Sequence, residues 1–257
     1  MSSTEAGVLD LHDRTVFLTG GSRGIGAATV RALRRAGARV FFTYRDRGAE
    51  AESLRTELGD EVAAYRLDVA DAAALPSAVD ACLARFGALD VLVNNAAIFA
   101  ENPFDGDDYA AWRDGWQRTF DVNLFGAANL AWLAMRVMRE RGGGAIVNVS
   151  SRAAHRGELS FADYGASKAA LVNLTKSIAR SCAGQGIVAF AVAPGFVVTE
   201  MAAPDLAERG EAIAAEIPLG RVTSAEEVAH VIAFLCTPLA RHLNGATLDV
   251  NGGSYVR

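Results

Sequence analysis

Cysteine is scarce in this 257-residue chain, and the three present, Cys82, Cys182 and Cys236, are far apart and odd in number. No C-x-x-C pair occurs and no histidine stands at ligand spacing from any of them, so a disulfide scaffold is excluded and no metal is assigned. They read as buried thiols in a reducing compartment. Long apolar runs are missing too: Val188–Val198 is too short to span a bilayer and is broken by Pro194. Met1–Arg14 lacks the basic-then-apolar order of a signal peptide, so the expected location is cytoplasmic, with no membrane partner. Nor is there an excess of positive charge. The 25 Lys and Arg residues against 30 Asp and Glu give a net charge of −5, which argues against a nucleic-acid partner.

Hydrophobic residues at 51% and charged residues at 21% are the values of an ordinary globular protein, in a length that fits one large α/β domain. Short β-branched runs alternate with longer helical segments. Thr15–Thr19, Arg39–Tyr44, Val62–Leu67, Val91–Val93, Ala145–Val149, Val188–Ala193 and Thr247–Val250 read as strands. Gly24–Arg35, a charged segment through Glu57, Leu75–Arg85, Ala110–Arg141 and Tyr164–Cys182 read as helical. This alternation predicts a Rossmann-like, doubly wound parallel sheet with helices on both faces. No Pro- or Ser-rich linker and no fixed-period repeat interrupts it, and Gly142–Gly144 reads as a tight helix-to-strand connection. One domain is expected.

Directly after the first strand comes Thr19-Gly20-Gly21-Ser22-Arg23-Gly24-Ile25-Gly26, with a helix following. Gly20, Gly24 and Gly26 form G-x-x-x-G-x-G, and the helix N-terminus offers free N–H groups to a pyrophosphate. A glycine-rich segment by itself is often only a turn; between a first strand and a first helix it points to dinucleotide binding. A fold of this kind selecting NAD usually ends its second strand on Asp or Glu. Here the strand ends Phe42-Thr43-Tyr44-Arg45, and Arg23 offers a second guanidinium, a pair suited to a 2′-phosphate. The cofactor expected is therefore NADP(H). Alternatively, Arg45 and Arg47 form a solvated basic corner whose field Asp46 weakens.

Tyr164 and Lys168 stand four residues apart, on one face if a helix begins near Tyr164. A phenol with an ordinary pKa of about 10 is a poor base at neutral pH, and a nearby ammonium favours its ionised form. Lowering it by about three units takes roughly 4 kcal/mol, within reach of a partly desolvated pair but not of a screened one. Ser151 follows the apolar strand Ile146–Val149, at the carboxyl end where such sheets bind ligands. Y-x-x-x-K alone recurs by chance; the upstream serine and the glycine turn give it meaning.

From about Leu11 to Val256 the chain resembles the single-domain branch of the short-chain dehydrogenase/reductase family. The marks are Thr19–Gly26, Asp68-Val69, Asn94-Asn95-Ala96-Ala97, Asn123, Ser151, Tyr164, Lys168 and Pro194-Gly195. The resemblance implies that Tyr164 is the general acid for reduction and the general base for oxidation. Lys168 would lower its pKa and bond the nicotinamide ribose, Ser151 would polarise the carbonyl, and Asn123 would hold a water in a proton relay. Asp68 and Val69 would border the adenine, and Asn95, Ala96 and Ala97 would line the cofactor floor. Val197 and Thr199, after Pro194 and Gly195, would secure the carboxamide. It also implies a homotetramer, with Asn251-Gly252-Gly253 similar to the family's C-terminal interface. Two departures stand out: Ala97 where the family has glycine, and Phe190 on a strand position where it often has Asn.

Two segments are expected to shape the substrate cavity: Ile98–Trp116, with Phe99, Phe104, Tyr109, Trp112 and Trp116, and Thr199–Glu216, a lid whose stretch Ala202–Ala215 reads as a short helix. Trp112 and Trp116, at helical spacing, also suit core anchors. His155 and Glu158 follow Ser151 closely enough to reach the pocket mouth, although a surface histidine is the plainer reading. The substrate is expected to be a small carbonyl or alcohol. A 3-oxoacyl-carrier-protein reductase is the alternative, weakened because the places where such reductases carry basic residues read Gly142 and Gln185, with Arg139 and Arg141 nearby. A second alternative is a non-catalytic NADP(H)-binding regulator on the same fold.

Overall fold

In a computed structural model, residues 9–256 are described. Seven strands form one sheet: β1 (Thr15–Leu18), β2 (Arg39–Tyr44), β3 (Val62–Arg66), β4 (Val91–Asn94), β5 (Gly144–Val149), β6 (Ile187–Pro194) and β7 (Thr247–Val250). Their order is β3-β2-β1-β4-β5-β6-β7, every neighbouring pair parallel. The chain starts in the middle, winds outward to β3, then crosses back to β4 and winds the other way. The reversal leaves a crevice at the carboxyl ends of β1 and β4, where such sheets bind ligands.

Side chains alternate between the two faces of each strand. Val16, Leu18, Val40, Phe42, Val91, Val93, Val147 and Phe190 join one core, with α1 (Gly24–Arg35), α2 (Gly48–Leu58) and α8 (Ala225–Leu235). Phe17, Phe41, Leu92, Ile146 and Ala189 point the other way, into a core with α3 (Leu75–Phe86), α5 (Gly126–Glu140) and α6 (Ala162–Cys182). Phe190 is fully buried, so the aromatic at this position is absorbed by packing. Cys82, Cys182 and Cys236 are free and buried. Burial pushes the Cys82 thiol up to about 12.

The predicted strands all form, with ends shifted by one residue at most. The segment Ala110–Arg141 is continuous but not uniform. It runs as α4 (Tyr109–Phe120), a wider π-helical turn (Asp121–Phe125) and α5. Asn123 sits inside that wide turn. Helix α6 starts at Ala162, two residues before the expected Tyr164. Helix α7 (Ala203–Ala215) fits the short helix read from the Ala-rich stretch, kinked at Arg209. Helix α8 was not anticipated; it opens on a capping box in which Ser224 and Glu227 exchange hydrogen bonds. No helix among the described residues is long and apolar enough to cross a membrane, and no His, Cys, Asp or Glu cluster among them suits a metal.

Candidate active site

The glycine turn follows β1 without a break. Gly20 has φ +70°, a region that disfavours side chains, and its carbonyl leaves no room at Gly26, where a Cβ would lie 2.0 Å from that oxygen. The Asn95 amide ties the turn from below, donating to the carbonyls of Thr19 and Gly20 at 3.0 Å each. Asn95 thus shapes the floor as well as lining it. Helix α1 begins at Gly24 with no side-chain cap and no acidic residue in its first turn, so its free N–H groups face the crevice. These features suit a pyrophosphate.

A cavity of about 840 Å³ runs from this turn to the ends of β5 and β6. Gly20, Ser22, Arg23, Gly24, Ile25, Gly26, Arg45, Asp68, Val69, Asn95, Ala96 and Ala97 line one part of it. Ser151, Tyr164, Lys168, Pro194, Gly195, Val197 and Thr199 line the other. Of the residues singled out from the sequence for chemistry, only Asn123 stands outside its lining.

The guanidiniums beside the turn are engaged by carboxylates. Arg45 Nε donates to Asp46 at 2.7 Å, Arg23 pairs with Glu200 at 3.0 Å, and Arg47 reaches Glu50 at 3.0 Å and Glu200 at 3.7 Å. The damping by Asp46 considered from the sequence is present, and Glu200 adds to it. All of these groups are solvent-exposed, so each pair is weak and exchangeable.

At the other end, β5 delivers Ser151 and α6 delivers Tyr164 and Lys168. The Ser151 Oγ accepts from Ala153 N at 3.1 Å, which keeps its own hydrogen available. Lys168 is buried and donates from Nζ to the Val149 carbonyl at 2.8 Å, with Nζ 5.7 Å from the Tyr164 ring centre. Burial lowers the Lys168 ammonium to about 8. It also pushes the Tyr164 phenol up, while the neighbouring Ser151 hydroxyl pulls it down. The spacing of Tyr164 and Lys168 shows the attraction between the pair but not how much each loses on burial. In the protein alone desolvation dominates.

Several contacts that brace this end, among them those of Asn123, were not foreseen from the sequence. The Asn123 side chain accepts from Ile98 N at 2.9 Å and donates to Ile98 O and to Ser167 Oγ, clasping the irregular segment after β4 to α6. Its amide is thereby fully engaged. Asp163, beside Tyr164, is buried and accepts from Thr119 Oγ1 at 2.7 Å, Asn102 Nδ2 at 3.4 Å and the Tyr164 N–H at 2.8 Å. A buried chain Asn94–Asn148–Thr175 links β4, β5 and α6. Only the requirement that buried polar groups be paired could have suggested Asp163, Asn148 and Thr175.

Of the aromatics expected around the substrate, Phe99 lines the cavity, stacked on Phe161 at 3.9 Å and edge-on to Tyr164 at 4.8 Å. Phe104 packs on Trp112 outside it, and Tyr109, Trp112 and Trp116 run along α4, each ring against the next, with Trp116 against Phe120. Glu158 lines the cavity; His155 does not, and stacks on Tyr255.

Residues 20–255 match a family model described as enoyl-(acyl carrier protein) reductase. The chain is 36% identical to an acetoacetyl-CoA reductase of Shinella zoogloeoides, covering 94% of this chain and 98% of that one. It is 34% identical to a 3-oxoacyl-[acyl-carrier-protein] reductase of Escherichia coli, over 96% and 100%. It is 41% identical to a cis-4-hydroxycyclohexanecarboxylate dehydrogenase of Sinomonas cyclohexanicum, over 94% and 96%. A crystal structure of a short-chain dehydrogenase/reductase, titled glucose/ribitol dehydrogenase, from Brucella melitensis superposes with a TM-score of 0.89 at 33% identity, over 97% of this chain and 99% of that one. Sheet order, glycine turn and full-length similarity agree: the chain belongs to the short-chain dehydrogenase/reductase family, oxidoreductases that act on keto and hydroxy substrates with a nicotinamide cofactor.

Proposed function

We propose that the chain is an NADP(H)-dependent ketoreductase, interconverting a ketone and a secondary alcohol through Ser151, Tyr164 and Lys168. The observation that carries this reading is that these three side chains share one wall of a cavity whose far end is the glycine turn. The nicotinamide, when bound, supplies or accepts the hydride. In the reductive direction Tyr164 gives its phenolic proton to the carbonyl oxygen, and the Ser151 hydroxyl donates to the same oxygen and orients it. Lys168, held by Val149, keeps its remaining N–H groups for the nicotinamide ribose and, as an ammonium, favours the Tyr164 phenolate. Asn123 acts as a brace, and a relay water there would rest on its main chain. Gly20 to Gly26 hold the pyrophosphate, Asp68 and Val69 flank the adenine, Asn95 to Ala97 form the floor, and Pro194 to Thr199 meet the carboxamide. Arg23 and Arg45 take the 2′-phosphate.

A carrier-bound 3-oxoacyl substrate is less well supported, because Arg139 donates to Gln185 and Arg141 leans on Asp90. The segment 199–216 is assigned as a substrate lid. Exposed Phe125 and Trp132, two helical turns apart, support a homo-oligomer, a tetramer by family precedent, which light scattering would check. Buried, unpaired thiols accord with a cytoplasmic setting.

The test is turnover. Purified protein should oxidise NADPH with a ketone, and Tyr164→Phe should lower kcat by about 10²–10⁴-fold. A Phe variant with unchanged kcat overturns the acid–base role. Tight NADPH binding without oxidation across a broad ketone panel would favour a regulator.

A further inference from the structure

Beyond Ser151 the cavity wall carries a buried cation. Arg152, the next residue, is 5% exposed and yet lines the cavity. Its guanidinium lies over the Phe196 ring, 4.8 Å from the centroid, and Nη1 donates to Ser254 Oγ at 2.9 Å. Its Nε stands 3.8 Å from Glu158 Oε1, beyond hydrogen-bond range. A guanidinium has five N–H donors, so most of them lack a hydrogen-bond partner among the described residues. Burial works against its charge; Glu158 and, less strongly, Glu216 offset this in part, while Arg156 adds to it.

Glu158 does not neutralise Arg152, because the same oxygen also lies 3.4 Å from Arg156 Nε. One carboxylate serves two guanidiniums. The other acids on this wall are Asp205, committed to Arg209 at 3.2 Å, and Glu216, which is exposed and makes no ion pair among the described residues. Solvent screens Glu216 far more than it screens the buried Arg152. The substrate end therefore presents a buried positive fork whose nearest carboxylate is shared with Arg156.

We propose that Arg152 binds a carboxylate of the substrate, so that the compound reduced is a keto acid and its product the matching hydroxy acid. A planar, bidentate carboxylate fits the fork, and Glu158 alongside disfavours a phosphate dianion. Because Ser151, Tyr164 and Arg152 line the same cavity, one small molecule can place its carbonyl oxygen at Ser151 and Tyr164 while its carboxylate meets the guanidinium. The assignment rests on the ketoreductase reading for the role of the carbonyl, but the anion site can be measured without turnover.

Calorimetry on the NADP⁺-loaded protein, with benzoate and benzamide as probes, gives the direct test. Benzoate should bind at least about tenfold more tightly than benzamide. Arg152→Met should abolish that preference, and Arg152→Lys should retain part of it. Equal binding of the two probes by the unmodified protein, or a preference that survives Arg152→Met, overturns the assignment. If Arg152 merely ties down Ser254, its variants should lower the melting temperature and weaken both probes alike. Should Arg152→Met fail to fold, the unmodified protein and the Lys variant still decide. In turnover, a keto acid should exceed its methyl ester in kcat/KM by a similar factor, expressed in KM. Ketone reduction indifferent to the carboxylate sinks this assignment and leaves the ketoreductase reading standing. Selective benzoate binding with no ketone reduced does the reverse.

Discussion

Glu200 accepts a hydrogen bond from Arg23 across 3.0 Å and lies 3.7 Å from Arg47, so a carboxylate behind β6 holds two guanidiniums next to the first turn of the sheet. A 2′-phosphate reaching Arg23 has to displace it. Glu200→Gln should therefore lower the KM for NADPH by about two- to fivefold, the range of an exposed ion pair, and leave that for NADH unaltered. Steady-state kinetics with both cofactors decides, and equal shifts for the two would remove Glu200 from the phosphate pocket.

Arg45 lies at the end of β2, held by Asp46, with Asp68 also in its field. Arg45→Asp would crowd three carboxylates around the 2′ position. NADPH should lose at least about tenfold in KM, and a carboxylate able to take the 2′-OH should shift preference toward NADH. Unchanged KM values for both cofactors would show that Arg45 lies outside the site.

Only two lysines occur in the chain, Lys168 and Lys176, and Lys176 is exposed. Labelling at the ε-carbon should give two NMR signals in the cofactor-free protein, one titrating near 8 and belonging to Lys168. The folded protein then binds fewer protons than the unfolded chain between pH 8 and the ordinary lysine value of 10.5. Stability contributed by this group must rise with pH across that window, by about 3 kcal/mol in all. Tyr164, held above 10 by burial, acts in the opposite sense above pH 10. Denaturant unfolding from pH 8 to pH 10 should thus show unmodified protein gaining on Lys168→Met; a constant difference contradicts the lowered ammonium.

Asp163 receives three donors and offers none. Asp163→Asn would turn an amide NH₂ toward at least one of them. The expected cost is about 1–3 kcal/mol of unfolding free energy, with a smaller fall in kcat as the start of α6 loosens. Thermal unfolding and kcat, measured together, test this; an isoenergetic variant would mean the carboxylate is not the acceptor described.

The sheet and the reacting trio were readable because both are local patterns. Alternation of Val16, Phe17 and Leu18 declares a strand buried on two faces, and Tyr164 with Lys168 is a one-turn spacing. Helix α8 escaped notice because the run Val228–Leu235, broken only by His230, is as apolar as a buried strand. The burial of Arg152, the clasp of Asn123 on Ile98 and the reach of Glu200 to Arg23 are products of tertiary approach; Glu200 and Arg23 are 177 residues apart in the chain. Desolvation of Tyr164 and Lys168 belongs to the same class. No spacing rule reports how much water a folded wall removes.

The wide turn at Asp121–Phe125 has a further meaning when seen as one surplus residue within an otherwise regular rod from Tyr109 to Glu140. Winding the same residues at the regular α-helical pitch would instead swing everything downstream by about 100°. Trp132 would leave the surface it now shares with Phe125, and Asn123 would lose its grip on Ile98. Outer face and inner clasp are phased by the same irregularity, so this stretch should tolerate exchanges of side chain far better than changes of length.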